Sequence, residues 1–200
     1  MHQVVIVGAG PSGVAAAVSL RDRGVRPVLI DRAGEVGASW RGRYDRLKLN
    51  TGRDYSHLPD RPYPQGTPAY PSRVDVVEHL HRHAHEDGIE LQLATEVHRI
   101  DKHDGASVSL HGGPEIKPDV VISATGYRRG LEPLVGHLDV LDECGVPRAA
   151  GAVAAAEGLR FIGFFCRPAL IGFVAEQSGL FANSIATELQ QSTNASTQPV

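Results

Sequence analysis

Cysteine is scarce in this chain. Cys144 and Cys166 are the only two in 200 residues. Two cannot build a disulfide framework, so a reducing compartment, the cytoplasm, is expected. Long apolar runs are lacking as well. None reaches the ~18 residues of a membrane span, so no membrane partner is expected. The first strand opens at Gln3, which leads to the expectation that no signal peptide is present. Charge of one sign is not in excess. A net charge of −3 excludes the strongly basic balance that nucleic acid or an anionic surface would call for. What the chain does have is an apolar fraction of 42%, ample for the core of one large domain.

The informative stretch is the first thirty-one residues. Gln3 to Val7 is a short apolar run, long enough for a buried strand. Gly8-Ala9-Gly10-Pro11-Ser12-Gly13 follows at once in the pattern G-x-G-x-x-G. Val14 to Arg23 is alanine-rich and reads as a helix that Gly24 stops. Val28-Leu29-Ile30 is a second strand ending on Asp31, 18 residues after Gly13. Strand, glycine turn, helix, strand and acid in this order are the signature of a dinucleotide site. Gly8 permits the tight turn, Gly10 lets backbone approach a pyrophosphate, and Gly13 lets helix and strand pack closely. The helix start offers unpaired N–H groups to the phosphates, and Asp31 is placed to accept ribose hydroxyls.

Beyond Asp31 the signals are weaker. Gly37-Ala38-Ser39-Trp40 reads as a glycine-rich loop carrying the only tryptophan. Leu47 to Asn50 alternates like a short strand, and five prolines between Pro59 and Pro71 rule out helix there. Ser72 and Asp75 resemble a capping box, so a helix should run from there to about Asp87. It carries His79, His81, His83 and His85 at spacings that can hold a metal. No Cys or third His follows at a ligand-like interval, so a solvated histidine face is expected and no metal. Ile89 to Leu93 is a strand. Val97 to Ile100 and Val108 to Leu110 form a small antiparallel ribbon with a turn signal at Asp104-Gly105. Asp119 to Ala124 is a buried strand running into Thr125-Gly126-Tyr127, which brings a second close backbone loop to the first βαβ unit. Arg160 to Phe165 reads as a last strand, Phe173 to Leu189 as a core helix, and Gln190 onward as a polar disordered tail.

Five stretches together resemble the flavin-containing monooxygenases, including the plant indole-pyruvate branch and the Baeyer–Villiger group. They are Val7 to Gly13, Gly37 to Trp40, Tyr44 to Asn50, Tyr70 to Arg73 and Ala124 to Tyr127. The resemblance implies an α/β fold: a Rossmann-like FAD-binding domain with a parallel sheet and a small antiparallel β ribbon. One domain would span residues 1–189, in halves 1–101 and 115–189, with residues 190–200 as the tail. Gly8, Gly10, Ser12 and Gly13 would cradle the FAD pyrophosphate. Asp31 would stand in for the more usual glutamate on the ribose. Arg32 and Trp40 would lie along the adenosine, and Val97 would meet adenine through its backbone. Thr125 and Gly126 would close on the cofactor. Asn50 matches a family asparagine near the reactive edge of the flavin and is the one candidate catalytic residue.

The resemblance departs from the family at one point. Members carry an inserted NADPH domain with its own glycine motif, and this sequence holds no second G-x-G-x-x-G. The expectation is an FAD domain without its NADPH domain, taking electrons from a reductase partner, free nicotinamide or a small-molecule substrate. A homo-oligomer covering the exposed face stays open. Two other readings compete with an oxidoreductase of monooxygenase type. One is a non-catalytic FAD- or nucleotide-binding module, or a subunit of a larger flavoprotein. The other is an NAD(P)-dependent Rossmann reductase, against which the Ala124-Thr125-Gly126 and Gly37 to Trp40 stretches speak.

Overall fold

A computed structural model describes residues 4–86, 88–102, 105–126, 131–164 and 170–196. Its centre is β1 (Val4–Val7), an entirely buried strand. The chain turns into helix α1 (Pro11–Arg21), which opens with Pro11 in the first-turn position where a missing N–H costs nothing. It then forms β2 (Pro27–Ile30) parallel to β1. Arg73–Glu86 is helix α3, preceded by a four-residue helix α2 (Ala38–Arg41). Strand β3 (Glu90–Gln92) adds to β2. The chain then leaves the sheet for an antiparallel ribbon of β4 (Val97–Asp101), β5 (Ser107–Leu110) and β6 (Glu115–Ile116). It returns as β7 (Val120–Ser123) on the other side of β1. A short helix α4 (Glu132–Val135), strand β8 (Leu159–Phe161) and the long helix α5 (Leu170–Ser196) complete it.

The sheet order is β3-β2-β1-β7-β8, all parallel. Both faces must therefore be covered, which explains why the three inner strands, β1, β2 and β7, read as almost unbroken apolar runs. Val4, Ile6 and Leu29 face a cluster with α1, α3 and α5; Val5, Val7, Val28 and Ile30 face a second one with the ribbon and α4. Helix α1 is buried almost all round, from Ser12 to Leu20, because it lies between the sheet and α5. Its Ala15-Ala16-Ala17 run keeps that sandwich thin. Ser19 and Ser178 satisfy each other across the α1–α5 contact, Oγ to Oγ 3.0 Å apart. The order runs outward from β1 through β2 and β3, then restarts from β1 through β7. Such a reversal opens a crevice at the carboxyl ends of the two strands, where open α/β sheets bind ligands.

Several expectations need correction. Helix α1 begins three residues earlier than Val14, since Pro11 starts a helix rather than barring one. Ala38 to Arg41 is a helical turn, not loop. Leu47 to Asn50 forms only one bridge, Lys48 opposite Ser72. The histidine face of α3 is not solvated throughout. His79 is 2% exposed, because the proline-rich segment folds over it and Tyr63 stacks on its ring at 4.2 Å. His81 and His85 do face outward and stack on each other. The expected disordered tail is helical to Ser196, its first residues carried on by α5, with the Ser192 and Thr193 hydroxyls donating back to the carbonyls of Glu188 and Leu189. The capping box is present: the Ser72 N–H donates to Asp75 Oδ2 at 2.8 Å, and the Asp75 N–H to Ser72 Oγ at 3.3 Å. Asp87, Asp104, Tyr127, Phe165 and Cys166 lie outside the described residues. Among the described residues no helix is long and apolar enough to cross a membrane.

Candidate active site

The site is assembled where β1 and β7 end. Gly8 leaves β1 with φ +112°, a conformation that favours glycine. A Cβ there would lie 2.6 Å from the Ala124 carbonyl oxygen, so the absent side chain is what lets Ala124-Thr125 close against the turn. A Cβ on Gly13 would lie 1.8 Å from the Gly8 carbonyl oxygen, which locks α1 onto the turn it starts from.

Gly10 is different. Its φ of −82° is open to any residue, and among the described residues the only neighbour its Cβ would meet is Ser39 Oγ at 3.6 Å. Nothing among the described residues requires a glycine there. The space it leaves lies at the N-terminus of an eleven-residue helix, where unpaired N–H groups and the helix dipole favour an anion. Thr125 Oγ1 is buried and has no hydrogen-bond partner among the described residues. An open cradle at Gly10 and an unsatisfied hydroxyl beside it fit a pyrophosphate-containing cofactor.

Asp31 ends β2 next to this turn. The Ala9 N–H donates to its Oδ2 at 2.6 Å and the Ala33 N–H to its Oδ1 at 2.8 Å. Arg32 beside it is exposed. Val97, 9% exposed, opens β4 next to this corner, since the Thr95 N–H bonds the Asp31 carbonyl at 2.9 Å. Trp40 is half-buried against the α1 and α3 core. Gly8, Gly10, Ser12, Gly13, Asp31 and Thr125 are thus brought to one corner, with Gly126 next to Thr125 in the chain, Val97 joined through Asp31 and Trp40 through its neighbour Ser39.

Asn50 stands apart. It is exposed on the segment between α2 and α3 and hydrogen-bonds to none of the other candidates among the described residues. That segment is strapped down by Leu49 N–H to the Pro71 carbonyl (2.8 Å) and Arg53 N–H to the Ala69 carbonyl (2.9 Å). Its far end is seated on α5: a Cβ on Gly172 would lie 1.7 Å from the Tyr55 carbonyl oxygen. Sequence reading missed Ala9, Ser39 and Gly163 as site residues. Gly163, which touches Ser12, and Gly172 are single glycines outside any motif, and only the fold reveals what they meet. A groove of about 570 Å³ on the outer face of α3, lined by Arg41, Arg73, Val77, His81, Arg82 and His85, includes none of the candidates.

A family model, pyridine nucleotide-disulphide oxidoreductase, matches residues 5–127. The chain belongs to this family. Among its relatives, indole-3-pyruvate monooxygenase YUCCA6 of Arabidopsis thaliana is 34% identical over 156 residues, covering 74% of this chain and 36% of the relative. Indole-3-pyruvate monooxygenase YUCCA1 of Oryza sativa subsp. japonica is 37% identical over 135 residues, 66% of this chain and 33% of the relative. The chain spans about a third of the length of these relatives. Among solved structures, a doubly substituted flavin monooxygenase from Stenotrophomonas maltophilia superposes with TM-score 0.80 over 94% of this chain and 100% of its own, at 14% identity. A flavin-containing monooxygenase from the same organism matches at TM-score 0.58 and 28% identity, over 63% of this chain and 39% of its own. FAD is the cofactor to which family and relatives point for this site.

Proposed function

We propose that this family member is an FAD-dependent oxidoreductase of flavin-monooxygenase type acting on a small molecule. The observation that carries the reading is the Gly10 cradle, which no contact or backbone angle among the described residues explains and a pyrophosphate does. Bound there, FAD would supply the electron transfer. The chain's residues bind and orient it. The α1 N-terminus holds the phosphates, Gly8 and Gly13 keep the turn tight, and Thr125 and Gly126 close from β7. Arg32, Trp40 and the Val97 backbone take the adenosine side. Asn50, carried by the strap that α5 holds in place, serves the reactive edge of the flavin.

In this reading the G-x-G-x-x-G of the chain holds FAD, and the electrons come from a reductase partner, free nicotinamide or the substrate itself. The test is a visible spectrum of the purified protein, then NADPH added without oxygen. Bound flavin that stays yellow supports this reading, with reduction by a partner or substrate. Bleaching by NADPH supports the oxidoreductase but places a nicotinamide site on this chain. A colourless protein that takes up no added FAD refutes the flavoprotein reading. Yellow protein that no reductant or substrate turns over leaves a binding module.

A further inference from the structure

We infer that Asp31 is a positioning residue that holds the glycine turn in shape, so that its carboxylate serves the protein's own backbone before it serves a ribose. Both carboxylate oxygens are engaged within the chain. Oδ2 accepts the Ala9 N–H at 2.6 Å and Oδ1 the Ala33 N–H at 2.8 Å. On the other side of the same residue, the Ala9 carbonyl accepts the Gly37 N–H at 2.9 Å. The middle residue of Gly8-Ala9-Gly10 is therefore clamped at both polar ends.

The main chain of Asp31 is tied as well. Its N–H donates to the Gln92 carbonyl at 3.1 Å, and its carbonyl accepts the Thr95 N–H at 2.9 Å. One residue thus links the ends of β1, β2 and β3. The physical reason is that Ala9 is 1% exposed. Its N–H has no water to turn to, and a buried unpaired donor is costly. A carboxylate is the strongest acceptor available. Fixing the Ala9 peptide fixes the planes of the peptides on either side. The Gly10 cradle and the first N–H groups of α1 are then already aimed before any phosphate arrives.

The shortness of the side chain has a role in this. A glutamate would carry its carboxyl about 1.5 Å further along the chain, and a 2.6 Å bond to Ala9 leaves no room for that. Aspartate suits the brace; glutamate suits a reach to the ribose. Asparagine suits neither fully, since it offers one acceptor oxygen to two N–H donors.

The inference rests on the FAD reading for its ligand but not for its bonds, and the experiment separates the two. Asp31→Asn and Asp31→Glu are compared with wild type in the full chain. Three quantities are read: the apoprotein Tm, the Kd for FAD well below Tm, and the Kd for an FAD analogue lacking both adenosine ribose hydroxyls. The brace predicts an apo Tm lower by roughly 4–8 °C in both variants. It also predicts that Asp31→Asn weakens FAD and the analogue by the same factor, about tenfold. Unchanged apo Tm, with an affinity loss that vanishes for the analogue, would overturn it and leave a ribose contact alone. Should either variant fail to fold, amide exchange in the wild-type apoprotein decides: a protected Ala9 N–H upholds the brace and a freely exchanging one overturns it. A wild type that binds no FAD refutes the flavoprotein reading, and the Tm and exchange results still judge the brace.

Discussion

His79 should make the stability of this protein fall in mild acid. Its ring is 2% exposed, stacked on Tyr63 and met edge-on by His83 at 4.7 Å. Its Nε2 accepts the Leu58 N–H at 3.4 Å, and its Nδ1 has no partner among the described residues. Burial, with Coulomb repulsion from His83, Arg82 and His57, pushes its pKa down from 6.5 to about 3. The sign follows from proton uptake. In the unfolded chain His79 protonates near 6.5, in the folded chain only near 3, so between these values the unfolded state holds more protons. Stability is full above 6.5 and declines as the pH drops toward 3. At about pH 5 the loss is of order 2 kcal/mol. His79→Phe keeps a ring against Tyr63 but cannot protonate, and it forfeits about 1 kcal/mol at every pH through the Leu58 N–H. Urea midpoints at about pH 7.5 and pH 5 test this. Wild type should lead at the higher pH and trail at the lower. Equal losses in both proteins would refute the reasoning, because the acid sensitivity would then come from other groups.

Two further outcomes are expected at the cofactor corner. Gly10→Val should leave the apoprotein Tm within about 2 °C of wild type, since its Cβ meets only Ser39 Oγ at an ordinary contact distance among the described residues, yet abolish FAD binding by titration; stoichiometric flavin in this variant would refute the βαβ cradle. Asn50→Ala should retain FAD, with affinity changed less than about threefold, while stopped-flow reoxidation by O2 changes. An unaltered reoxidation rate would remove Asn50 from the chemistry.

The order of β1, glycine turn, α1, β2 and Asp31 was legible because each signal is local. An apolar run, a glycine spacing and an acid at a fixed interval need no knowledge of distant residues. The ribbon followed from the same kind of pattern, and the parallel sheet from the family resemblance. What could not be read was contact between segments far apart in the chain. His79 sits on a polar-looking helix stretch and is buried because the proline-rich segment 57–71 closes over it. Gly172 and Gly163 carry no motif, and what they touch appears only when α5 meets Tyr55 and the turn after β8 meets Ser12.

The polarity of residues 190–200 suggested disorder, yet α5 extends as far as Ser196 from a core anchored by Phe181, Ile185 and Leu189. A helix already nucleated adds residues at low cost, and composition alone does not register that. Asp31 shows the division most clearly. The sequence by itself determined that an acid stands at the end of β2 beside a glycine turn. Only the tertiary structure decided that this acid points first at Ala9 and Ala33, because which donor a carboxylate meets depends on side-chain length and on the approach of two strand ends, measured in tenths of an ångström.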